Sequence, residues 1–126
     1  MSNTQLKIDI PGLNADSGLM LCDGDFKIYL HSLRLYISNM PANLEKMKYV
    51  SKETLKDYII SAHGAKSISQ YIGAEAAVKT AKELETMAKE GNLDGVLAQN
   101  ETFIKNAQDL VDSIRSWLVK NNVLNA

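Results

Sequence analysis

The sequence predicts an all-α fold: an antiparallel up-down bundle of four helices with a short additional helix at the N-terminus. Three observations predict it. Both prolines, Pro11 and Pro41, fall in the first third of the 126 residues, so no proline interrupts helical hydrogen bonding beyond them. Past Pro41 the chain is rich in Ala, Leu, Lys, Glu and Gln, and its apolar residues recur every three or four positions, the helical period. The breaks between these stretches are short, which favours antiparallel neighbours. The opening LKIDIPGL reads as extended, but no set of alternating strands follows it.

A first helix is expected over residues 14–22, with Asn14 as its N-cap and Asp23-Gly24-Asp25 as the break. The second starts near Asp25 and carries one apolar stripe: Phe26, Tyr29, Leu30, Leu33, Tyr36, Ile37 and Met40. Pro41 admits two readings. It ends that helix, or as a first-turn residue it opens a continuation through Leu44 and Met47. Ser51 caps a third helix that runs to Ile72 and stops at Gly73. A fourth spans residues 75–90, with Val78, Ala81, Leu84 and Ala88 on one side and Gly91 as its stop. The fifth begins around residues 92–94, repeats apolar residues in near-heptads to Leu118, and frays in KNNVLNA. Residues 1–9 are thus expected as a tail, 10–119 as one helical bundle and 120–126 as a second tail.

Charge and composition narrow the function. A net charge of −1 argues against a sequence-independent grip on nucleic acid. No apolar run approaches the roughly 18 residues of a membrane span, so no membrane insertion is expected. The first residues lack a charged segment followed by an apolar core. Cys22 is the lone cysteine, which excludes an intrachain disulfide and points to a reducing, cytoplasmic setting. A monomer is expected. Asp23-Gly24-Asp25 lacks the downstream ligands of a calcium loop and reads as a turn and cap. His31 has no ligand-spaced partner, Cys22 no nearby catalytic-looking His, and no phosphate-binding Gly-rich loop occurs.

The chemistry concentrates in AHGAKSISQYIGA, residues 62–74. Placed on a wheel at about 100° per residue, Leu55, Ile59, Ala62, Ala65, Ser69 and Ile72 share the sector that should face the core. His63 then lies roughly 130° from that sector's centre, outside the core. Lys66 and Gln70 flank it on its core side, and Gly64 and Ser67 on the other. Ile60 and Tyr71 also point outward, an apolar pair around an accessible polar group, as on a protein-docking surface. Neutral imidazole keeps one unprotonated nitrogen near pH 7. Its attack on a phosphoryl group gives a labile phosphoramidate, and an ammonium one turn away can pair with the arriving oxygens.

These residues resemble the signature of the histidine phosphotransfer domain, H-x-L-K-G-S-x followed a turn and a half later by I-G-A. His63, Lys66, Ile72, Gly73 and Ala74 fall at the matching offsets, and residues 10–40 resemble the family's lead-in. The likeness extends from about Ile10 to Leu118. It implies a four-helix bundle that is no kinase itself and passes phosphoryl groups between receiver-domain aspartates. His63 would be the phosphoacceptor, Lys66 the phosphate-stabilising cation and Gln70 a hydrogen-bond donor to the phosphate. Ile60, Gly64, Ser67 and Tyr71 would dock response-regulator receivers or a hybrid sensor kinase. No cofactor is implied for this chain; magnesium would belong to the receiver's acidic pocket. Two departures from the signature matter. Ala65 replaces its Leu, and Ser67 replaces the Gly beside the imidazole, which implies slower transfer. The alternative that Ser67 keeps open is a module that docks receiver or kinase domains without accepting phosphate.

Overall fold

The computed structural model describes residues 7–125, and five α-helices make up most of them. They are α1 (Ala15–Leu21), α2 (Phe26–Met47), α3 (Leu55–Tyr71), α4 (Glu75–Lys89) and α5 (Leu93–Lys120). A single 3₁₀ turn, Lys52–Thr54, leads into α3. There is no strand among the described residues. The long helices touch in a closed circuit, α2 with α3, α3 with α4, α4 with α5 and α5 with α2, while α1 leans on α2 and α3. Their inward faces meet in one core that includes Tyr29, Leu33, Met40, Leu84, Val111, Ile114 and Leu118. No helix among the described residues is long and apolar enough to cross a membrane.

Local chemistry sets most of the helix ends where the sequence predicts them. The Asn14 side chain accepts from the backbone N–H of Ser17 at 3.1 Å, and that of Asp25 accepts from Lys27 and Ile28. Helix α3 closes with Gly73 in the left-handed region, φ +77°. The Ala74 N–H returns to the Ser69 carbonyl and the Gly73 N–H to that of Gln70, which satisfies carbonyls the helix end would otherwise orphan. Gly73 has a second reason to be glycine: a Cβ there would collide with the backbone of Asn14. Ser51 lies one 3₁₀ turn ahead of α3, its N–H given to the Thr54 hydroxyl at 2.8 Å.

Pro41 turns out to lie inside α2. A proline in a helix interior costs about 3 kcal/mol, yet Met40 and Leu44 on either side of it are both buried in the core. Apolar packing along the whole 22-residue helix outweighs one missing hydrogen bond. The inward face of α3 also differs from the expected sector. Ala62, Ala65, Ser69 and Ile72 are buried as expected, but so are Tyr58 and Ser61, while Leu55 and Ile59 are half-buried. Helix α3 sits between α2 and α4, so it buries two flanks rather than one. On one flank the Asn43 side chain of α2 donates to the Ser61 carbonyl at 2.6 Å.

Candidate functional site

His63 stands at the middle of α3 with its side chain 59% exposed, as its place on the wheel requires. Its neighbours differ on the two sides. Toward α2 lies Gly64, where an added Cβ would meet only the Asn43 amide at 3.8 Å, an ordinary contact. The ring is therefore uncrowded on that side. Toward α4 lies Glu85, and this residue organises everything around it.

Glu85 belongs to the buried stripe of α4 with Ala81, Leu84 and Ala88. Its side chain is only 6% exposed. Three groups converge on the carboxylate. His63 Nδ1 is 3.0 Å from Oε2, Lys89 Nζ is 3.0 Å from the same oxygen, and Lys66 Nζ is 3.1 Å from Oε1. Lys89 follows Glu85 by one turn of α4, the favourable order for such a pair. Burial pushes the Glu85 carboxyl upward, but hydrogen bonds from Lys89, Lys66 and His63 outweigh it and hold the pKa down at about 2.

An ionised carboxylate only accepts hydrogen bonds. Its bond to Nδ1 therefore requires the proton on Nδ1, and the neutral ring then carries its lone pair on Nε2. This is the arrangement that a nitrogen nucleophile needs: one ring nitrogen tied down and the other free to attack.

The other sequence-predicted residues fall on the same outer face. Ile60 is 71% and Tyr71 58% exposed; Ser67 is half-buried, one turn beyond His63. Gln70 is exposed, and among the described residues its side chain has no hydrogen-bond partner. Lys66 is less free than its place in the sequence implies, with a side chain only 23% exposed. Beside Ile60 a shallow depression of about 470 Å³ opens between the end of α2 and the start of α3, lined by Tyr49, Asp57 and Ser61 among others. A separate cleft of about 590 Å³ between α4, α5 and Pro11–Gly12 includes none of the His63 cluster.

Apolar periodicity in α4 marks Val78, Ala81, Leu84 and Ala88 and passes over Glu85 and Lys89. The signal was present: Glu85 lies four residues after Ala81 and three before Ala88, so helical geometry puts it on the buried face whatever its polarity. Exposed Tyr49, next to the depression, was also missed. Compared with protein-family models, curated proteins and solved structures, the chain matches none.

Proposed function

We propose that the protein is a cytoplasmic phosphohistidine carrier. His63 accepts a phosphoryl group from the aspartyl phosphate of a receiver domain and passes it to another receiver. In this reading the ring of α2, α3, α4 and α5 is an antiparallel four-helix bundle, with α1 an addition at one end. The observation that carries the proposal is the exposed imidazole, fixed through Nδ1 by a buried carboxylate with two lysines beside it. The Nε2 lone pair forms the N–P bond as the P–O bond to the aspartyl group breaks, and the aspartate carboxylate leaves with the electron pair. Nδ1 keeps its proton against Glu85, which balances the positive charge that develops on the ring. The reverse step regenerates neutral imidazole. Positive charge near the phosphoryl oxygens lowers the barrier in both directions; the family resemblance gives that role to Lys66.

The partner surface is the outer face of α3. Ile60 and Tyr71 bracket His63, and Gly64 and Ser67 leave room for a second protein to close over the ring. Ser67 is half-buried one turn beyond His63, and a hydroxyl there can donate to a phosphoryl oxygen. The chain supplies no ATP-dependent kinase activity of its own, and magnesium enters with the receiver.

The test is incubation with a receiver domain charged with labelled phosphate, comparing wild type with His63→Gln. Acid-labile, base-stable label on the wild type alone is expected. Label retained by His63→Gln sinks the assignment. Receivers that bind the wild type but transfer nothing turn the reading into one of docking only.

A further inference from the structure

The carboxylate of Glu85 holds more donors than it needs. Oε1 has one partner, Lys66, whereas Oε2 has two, His63 Nδ1 and Lys89 Nζ. Removing Lys66 leaves Oε1 of a buried charge with no protein donor, which is costly. Removing Lys89 leaves both oxygens paired, Oε1 with Lys66 and Oε2 with His63. The two lysines differ in exposure as well, 23% for Lys66 against 60% for Lys89. The Lys89 ammonium is the more solvated of the two, and Glu85 keeps a donor on each oxygen when it leaves, so Lys89 is the lysine that can be exchanged.

We propose that Lys89, and not Lys66, is the cation that meets the phosphoryl group on His63, with Glu85 holding it ready until that group arrives. The inference rests on the carrier reading above and assigns the charge-balancing role within it. Lys89 Nζ and His63 Nδ1 bind the same oxygen at 3.0 Å each, so they lie no more than about 6 Å apart. Four flexible methylenes let the ammonium swing from the carboxylate to an oxygen of a group bonded to Nε2. The charges favour the move. One carboxylate facing two ammonium groups leaves a surplus positive charge, and an arriving phosphoryl group brings about −1.5 to −2. Lys66 stays behind as the counter-ion that keeps Glu85 ionised and His63 in place.

The full chain can be tested without a partner protein, using phosphoramidate as the donor. The Nε2 lone pair displaces ammonia from phosphorus: the new N–P bond forms as the old one breaks, and the departing nitrogen keeps the electron pair. Labelling rates and the ³¹P titration of the resulting phosphohistidine are compared for wild type, Lys89→Ala and Lys66→Ala. Lys89→Ala should be labelled about fivefold more slowly at low salt, a difference that shrinks at high salt. Its phosphoryl group should also titrate at higher pH than in the wild type, because a nearby ammonium is gone. A merely structural Lys89 would leave that titration unmoved, and its exposure makes loss of fold on substitution to Ala unexpected. Lys66→Ala should instead lose stability and move the phosphoryl titration less. The reverse ranking, or a titration unchanged in Lys89→Ala, overturns the assignment of Lys89 alone. A wild type that takes no label overturns the carrier reading with it.

Discussion

The protein buries two strongly polar side chains at helix seams and treats them in opposite ways. Asn100 of α5 is 6% exposed and Glu85 of α4 is 5% exposed. Asn100 accepts from the Tyr58 hydroxyl at 2.6 Å and donates to the Met47 carbonyl at 2.8 Å, so it ties α5 to α3 and to the end of α2. Both of its partners are neutral and buried. Glu85 is ionised, and its partners run out to solvent through His63 and Lys89. A closed neutral network fixes how helices pack. An open charged one holds the exposed His63 ring through Nδ1 while its far side faces solvent. Burial alone therefore does not tell the two networks apart; the exposure of the partners does.

Substitutions can break this contrast. The largest stability effect is expected for Asn100→Ala, which strands the Tyr58 hydroxyl and the Met47 carbonyl in the core. Chemical denaturation should show a loss of about 2–4 kcal/mol, while phosphoryl acceptance per folded molecule stays unchanged. Glu85→Gln should do the reverse, lowering the labelling rate about tenfold, the equivalent of one lost positioning hydrogen bond, with a smaller change in the denaturation midpoint. An unchanged rate would make Glu85 as purely structural as Asn100. Acid titration sharpens the same distinction. The Glu85 pKa falls from 4.5 to about 2 on folding, so its stabilisation is full above about pH 4.5 and is lost as pH falls toward about 2. Stability measured across that window should fall less steeply in Glu85→Gln; an identical slope would show that the three-donor cluster does not form. The smallest effect belongs to Tyr58→Phe, about 1 kcal/mol by thermal unfolding with no change in labelling, since Asn100 keeps its bond to Met47.

What the sequence made legible follows the reach of local physics. Asn14, Asp25, Gly73 and Gly91 mark helix ends because capping and left-handed turns are decided within a few residues. His63, Ile60 and Tyr71 are outward because 3.6-residue periodicity is likewise local. Pro41 was ambiguous because its outcome depends on distant packing partners of Met40 and Leu44. Glu85 joins His63 across 22 residues, through the contact between α3 and α4, and no spacing rule within one helix announces that pairing. The same holds for Lys66, legible as the lysine near His63 but not as the lysine held on Glu85.

Helix α1 owes its seat to an absent side chain. Gly18 rests so close to the Tyr29 ring and the Ile72 carbonyl that a Cβ would collide with both, and the Tyr29 hydroxyl donates to that same carbonyl at 2.7 Å. This seven-residue helix has Gly18 as its one buried residue, so little apolar area holds it in place. Helix α1 is thus expected to open before the four long helices do, a subglobal opening that hydrogen exchange would detect. The Gly18 amide, given to the Asn14 carbonyl, should then exchange with deuterium well before the amides of α5. Enlarging residue 18 to valine should shift that balance until α1 is open most of the time. The molecule would then have two clocks, a fast one for its N-terminal latch and a slow one for the core that carries His63.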